Sequence, residues 1–294
     1  MEKKIDVFII GAEKAGTTSL KKYLAQHSEI VTHEHMEFAF FADNNEYRKG
    51  FPRVFVKYFK LNENDSRIIL CKNATLYEKE DSLLRLFLHN PECKIILILR
   101  EPVARAYSAY LMGVNDGWIT EPFQKYVSQL LNKKMSVNSD IYRYIFQLGL
   151  YSELLEQVYA SFKKEQVFLV KYESLKDAPA RVCSELFSFI GVGENFHPDF
   201  SKMYNVTRKV KSRTASSIIH FFKSKNSLVK RAIRFVLGPR FFARMGYVVN
   251  NANLKSVEYP PLSEDLFRSL AEFYKHDVIR LESLTKFDLS AWKK

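Results

Sequence analysis

The chain of 294 residues is poor in cysteine, with three, at Cys71, Cys93 and Cys183. An odd number in no metal-ligand spacing makes reduced cytosolic thiols the simplest reading. No apolar run approaches the ~20 residues that span a bilayer. The opening Met1-Glu2-Lys3-Lys4-Ile5-Asp6 has no apolar core of a leader and runs straight into a strand pattern, so a soluble, cytoplasmic protein is expected. On that expectation the Asn-x-Ser/Thr triplets at Asn64, Asn73 and Asn205 are chance. Gly/Ser-rich and Pro-rich linkers and internal repeats are also missing, so residues 1–294 read as one domain. Acidic residues are absent from one long stretch. Ser201 to Val257 holds 13 Lys/Arg and no Asp or Glu. The net charge is +12, so the rest of the chain sums to −1. The basicity is local, and that stretch reads as a basic helical insertion or lid around 201–257.

What is present is an alternation of short apolar runs with helical patterns. Strands are expected at Ile5–Ile10, Ile30–Val31, Arg67–Cys71, Lys94–Leu99 and Val167–Val170. Helices are expected from Leu20 to about Gln26, over Ser82–His89, Val103–Met112, 141–147, 151–163, Ala178–Ile190 and 263–285, with 113–140 irregular or helical. Lys94–Leu99 is apolar on both faces, as a central parallel strand is. The pattern predicts an α/β fold of three layers, a central parallel sheet flanked by helices.

The first strand opens into Gly11-Ala12-Glu13-Lys14-Ala15-Gly16-Thr17-Thr18-Ser19 and then a helix. Backbone N–H groups at a helix start, with the positive end of the helix dipole, suit a phosphate or sulfate. The simpler reading is a strand-to-helix turn capped by Thr17 or Thr18. A nucleotide-hydrolase loop places its lysine directly after the second glycine, whereas Thr17 follows Gly16 here and the lysine, Lys14, lies inside the loop. No acidic strand end offers to hold Mg²⁺, which counts against a kinase or NTPase.

A second motif, Leu97-Ile98-Leu99-Arg100-Glu101-Pro102-Val103-Ala104-Arg105-Ala106-Tyr107-Ser108, puts Arg100 at the C-terminal end of a strand and Ser108 two turns into the following helix. With both motifs in place, the chain resembles the sulfotransferases that use 3′-phosphoadenosine 5′-phosphosulfate (PAPS). The first loop is similar to their 5′-phosphosulfate loop and the second motif to their 3′-phosphate motif. Tyr151-Ser152-Glu153-Leu154-Leu155 through Tyr172-Glu173-Ser174-Leu175, and Leu281-Glu282 through Trp292, extend the resemblance over most of the chain, most weakly at 110–145 and 215–250. Met36-Glu37-Phe38-Ala39-Phe40-Phe41 resembles the K-E-x-x-F-F segment of the carbohydrate (heparan-type) and bacterial branch, with Met36 in place of the lysine. Lys72 matches a lysine after the next strand. The proline that usually follows is missing from Lys72-Asn73-Ala74-Thr75-Leu76-Tyr77, which predicts a looser loop.

The resemblance implies a P-loop-like sulfotransferase fold and in-line transfer of SO₃ from PAPS to a hydroxyl or amine of a carbohydrate or small-molecule acceptor, releasing adenosine 3′,5′-bisphosphate. It implies Glu37 as general base and Lys14, helped by Lys72, as the cation at the leaving oxygen; His33 and His35 are competing bases, since histidine titrates near neutral pH. It implies that Lys14, Ala15, Gly16, Thr17, Thr18 and Ser19 hold the 5′ end of the donor. Arg100, Ser108 and, late in the chain within Lys211-Ser212-Arg213, Arg213 hold its 3′-phosphate. No metal is called for, because lysines and amides supply the positive charge. The basic stretch has three readings: a clasp on the 3′-phosphate, attraction of an anionic acceptor, or membrane-surface contact through 215–247. No base-reading motif supports nucleic acid as a partner. A metal-dependent kinase or hydrolase, and a binding module with a relic site, are the rival functions.

Overall fold

A computed structural model describes residues 3–59, 61, 65–79, 81–201, 209–210, 254–255 and 261–293. The helices, in chain order, are α1 (Thr17–Leu24), α2 (Asn44–Tyr47), α3 (Phe51–Tyr58), α4 (Ser82–His89), α5 (Pro102–Asn115), α6 (Phe123–Leu131), α7 (Asp140–Ile145), α8 (Tyr151–Ser161), α9 (Tyr172–Asp177), α10 (Pro179–Ile190) and α11 (Glu264–Thr285). The chain divides into two compact units, one of Met1–Arg105, Leu148–Asn205 and Ala271–Lys294, the other of Ala106–Gln147 and Val206–Leu270.

The first unit is built on a five-stranded sheet of β1 (Val7–Gly11), β2 (Ile30–Thr32), β3 (Ile68–Lys72), β4 (Lys94–Leu99) and β5 (Val167–Lys171), in the order β2-β3-β1-β4-β5. Every pairing is parallel. All five residues of β1 are buried, and all of β4 except Lys94. Side chains alternate between faces along a strand, so burial at successive positions means that both faces are covered. Helices α1 and α10 pack together, as do α4 and α8. On one face Phe8 meets Phe38 and Phe41 edge-on, at ring separations of 6.3 and 5.9 Å. The chain fills the sheet on one side of β1, then on the other. At such a reversal the loops after neighbouring strands part, leaving a crevice at the strands' C-terminal ends.

The expected α/β architecture is the one observed, and α4 and β4 have the expected bounds. The first strand begins two residues later than expected. Ile5 and Asp6 are diverted: the Ile5 N–H donates to His89 Nε2 at 3.1 Å, and the Asp6 carboxylate accepts the Ile69 N–H at 2.7 Å. Helix α9 is an element that the sequence pattern did not single out, and α6 gives the 113–140 region one regular element.

The second unit holds α6, α7 and an aromatic cluster. Phe123 lies 5.3 Å from Tyr107, 4.9 Å from Tyr110 and 6.3 Å from Phe146 by ring centre. Two short strands, β6 (Lys209–Val210) and β7 (Leu254–Lys255), pair antiparallel. Apart from Ser201 and these strands, the basic stretch 201–257, with Arg213 and 215–247, lies outside the described residues. Among the described residues no helix is long and apolar enough to cross a membrane.

Candidate active site

Between β1 and α1 the backbone turns through two left-handed residues, Lys14 at φ 70° and Gly16 at φ 84°. For lysine this conformation costs on the order of 1 kcal/mol or more. Gly16 answers a second demand as well. A Cβ there would stand 3.2 Å from the Tyr172 ring. Gly16 is the N-cap residue of α1, and no side chain caps the helix. The alternative reading, a turn capped by Thr17 or Thr18, is not the one observed, since both are already helical and buried. A helix start that its N-cap side chain does not cap is the kind of element that binds an anion.

Strands β1 and β4 are neighbours, so the residues after β4 lie beside this loop. Arg100 donates through Nη1 to the Lys14 carbonyl at 2.8 Å. Its guanidinium lies over the Tyr172 ring, 4.7 Å from the centre, and its own carbonyl accepts the Tyr151 hydroxyl at 3.0 Å. Glu101 then caps α5: its carboxylate accepts the Val103 and Ala104 N–H groups at 2.7 and 2.6 Å.

A second cluster forms on the other side of β1, where β3 ends. Lys72 is 1% exposed, and its Nζ donates to Glu37 Oε1 at 2.7 Å and to Thr18 Oγ1 at 3.2 Å. The other Glu37 oxygen accepts the Ala74 N–H at 3.0 Å. The Glu37 side chain keeps 37% of its surface in solvent, and Met36 beside it is 65% exposed. The turn after β3 is tied down rather than loose. Asn73 bonds the Phe38 carbonyl through Nδ2 at 3.2 Å and accepts the Thr75 N–H at 3.1 Å, so its amide shapes the turn without a proline.

The chain matches the sulfotransferase domain family over residues 4–231. It belongs to that family. The sulfotransferase from Alicyclobacillus acidocaldarius shares the fold, with a TM-score of 0.70 at 22% identity over the whole of both chains. The bifunctional heparan sulfate N-deacetylase/N-sulfotransferase 1 of Caenorhabditis briggsae is 25% identical over 209 residues, 64% of this chain. Its counterpart in Xenopus tropicalis is 29% identical over 203 residues, 65% of this chain. The matched region spans 23% of the length of each of these two relatives.

Most of the residues singled out from the sequence fall into two groups. Lys14, Ala15, Gly16 and Arg100 are at the loop after β1, with Thr17, Thr18 and Ser19 opening α1. Thr18, Lys72 and Glu37 are joined by hydrogen bonds. Ser108 is buried on α5, in the second unit. Arg213 is outside the described residues. His33 is 1% exposed and packed among Phe38, Tyr58 and Phe59. Burial, with Lys21 next, pushes its imidazole down to about 3. Its Nε2 faces the Lys72 N–H at 3.4 Å, so it is a neutral structural acceptor and poorly placed as a base. His35 stays exposed, its ring 4.6 Å from that of Tyr58.

Three contributors went unassigned in the sequence. Glu13, inside the anion loop, has its carboxyl raised by burial, against the opposing pull of Arg105 and Lys14. A carboxyl pushed toward its neutral form repels an anion less. Arg105 is fully buried and acts electrostatically on Glu13, Tyr77 and Tyr151. Its place in the second motif was the available signal. Tyr172 walls the anion loop, and nothing local in the sequence announces that.

Proposed function

We propose that this sulfotransferase moves a sulfuryl group from PAPS to a hydroxyl or amine of a carbohydrate or small-molecule acceptor. The observation that carries the reading is the Lys72 bridge, which joins Thr18 at the start of the anion-loop helix to Glu37. One buried cation thereby touches both the anion-binding element and a carboxylate open to solvent.

The uncapped start of α1 and the two left-handed residues before it fit the 5′-phosphosulfate end of the donor, and Arg100 fits its 3′-phosphate. Ser108 and Arg213 are assigned to that second phosphate with Arg100. The donor supplies an activated sulfuryl group. Lys14, with Lys72, stabilises negative charge growing on the bridging oxygen, which is worth more in the transition state than in the ground state. Glu37 accepts the acceptor's proton. Both of its oxygens are already engaged, but each carries a further lone pair, and the exposed side chain leaves room for one more partner. The relatives named as heparan sulfate N-sulfotransferases make heparan-type oligosaccharides with free amines the first acceptors to try.

Calorimetry with adenosine 3′,5′-bisphosphate, with and without Mg²⁺, tests the donor site, and binding independent of the metal is expected. Mass spectrometry of an acceptor panel incubated with PAPS tests the reaction, each product gaining one SO₃. Absence of nucleotide binding would reject the reading. Binding only in the presence of Mg²⁺ would favour a phosphate-transferring enzyme.

A further inference from the structure

Lys21 is a buried cation that the reaction as described does not use. It lies on α1 one turn beyond Thr18 and is 5% exposed. Its Nζ donates to the backbone carbonyls of His33 and His35, at 3.0 and 2.9 Å. No ion pair with a carboxylate accounts for it among the described residues. A buried ammonium is costly unless its N–H groups are satisfied, so the two carbonyls are what make this position tenable for lysine. They belong to the segment between β2 and Glu37.

The consequence is a closed circuit of contacts. Lys21 ties α1 to the 33–35 backbone. Two residues on, Glu37 reaches Lys72 and the Ala74 N–H at the end of β3. The Phe38 N–H donates to the Lys72 carbonyl at 2.7 Å, and Lys72 returns to α1 through Thr18. Helix α1, the 33–38 segment and the β3 turn thus fix one another. Without the Lys21 link the segment would keep its bonds at the end of β3 and its ring contacts with Tyr58 and Phe59, but would lose its direct tie to α1.

We propose that Lys21 is a positioning residue for sulfuryl transfer, clamping the Glu37-bearing segment to the helix that holds the donor. This rests on the role proposed above for Glu37, but the clamp itself can be tested without it. Desolvation, with Lys72 as the next cause, holds the Lys21 ammonium down to about 8. That agrees with a site chosen for hydrogen bonding rather than for charge.

The test compares Lys21→Met with wild type and with Lys22→Met, which removes an exposed charge one residue away. A misplacement of about 1 Å costs on the order of 10²-fold in rate. The expected result for Lys21→Met is a ~10- to 100-fold fall in kcat, with affinity for adenosine 3′,5′-bisphosphate within ~3-fold of wild type. Amide hydrogen exchange should quicken across residues 33–38 but not in β4. Lys22→Met should match wild type in all three. If Lys21→Met folds poorly, Lys21→Gln keeps an N–H donor and should show the same pattern in weaker form. Turnover within ~3-fold of wild type, a loss confined to nucleotide affinity, or unchanged exchange at 33–38 would each overturn the clamp. Failure of wild type to bind the nucleotide or transfer sulfate would instead reject the function, while the exchange readout would still decide the clamp.

Discussion

The two halves of the candidate site are built in different ways. The anion loop is nine consecutive residues, Gly11 to Ser19, shaped by its own backbone and backed by Arg100 from the neighbouring strand. The segment carrying Glu37 has no such local logic. It is held from α1 by Lys21 and from the end of β3 by Lys72, Asn73 and Ala74. The first half depends on conformation, which neighbours in sequence dictate. The second depends on side chains that arrive from distant parts of the chain.

That contrast ranks the substitutions, and the largest effects are expected where each half meets the reaction. Glu37→Gln keeps the shape of the side chain and removes the base, so kcat should fall ~10²- to 10⁴-fold with nucleotide affinity retained. Lys14→Met removes a cation at developing charge, and a loss of ~10²- to 10³-fold is expected. Steady-state kinetics beside calorimetry checks both. If Lys14→Met weakened binding but left kcat alone, the two halves would divide binding from chemistry more cleanly than proposed.

A middle-sized effect should come from the loop's conformation. Gly16→Ala forces a Cβ into a left-handed residue and toward the Tyr172 ring. A loss of ~1–2 kcal/mol in unfolding free energy is expected, with nucleotide affinity lowered as well. Tyr172→Ala on top of it relieves the clash and leaves the backbone term. Full recovery in the double variant would show that the ring alone sets the requirement.

The same contrast explains what the sequence made legible. Gly11, Lys14, Gly16 and the hydroxyl run mark the loop because the turn, the helix start and the cation are all local. Alternating apolar runs gave the parallel sheet, and Arg100 at the end of the most apolar strand marked the residue proposed for the second phosphate. Lys21 was invisible for the opposite reason: in sequence it is one more lysine on an amphipathic helix, and only the fold brings two carbonyls to it. The turn after β3 was misjudged because a missing proline says nothing of the Asn73 side chain that replaces its effect. Glu13 and Arg105 were in view, but burial is what gives them meaning.

The smallest predicted effect separates the halves by the sign of their response to pH. His33, behind the Glu37 segment, is held down to about 3 from an ordinary value near 6.5. The unfolded chain takes up that proton first, so the contribution of neutral His33 is complete above pH 6.5 and is lost as pH falls toward 3. Glu13, in the anion loop, is shifted the other way: its folded carboxyl holds its proton longer than the unfolded one. Its effect is favourable at low pH and is lost as pH rises past the ordinary glutamate range. Urea unfolding of wild type, His33→Asn and Glu13→Gln at pH 7 and pH 5 distinguishes the two. The His33→Asn variant should lose less stability on acidification than wild type. Glu13→Gln should be more stable than wild type at pH 7, because an amide has no charge to strip of water when buried. A Glu13→Gln variant less stable at pH 7 would mean that the carboxylate is held by Arg105 and Lys14 strongly enough to outweigh its burial. The anion loop would then have to bind its ligand against a full negative charge.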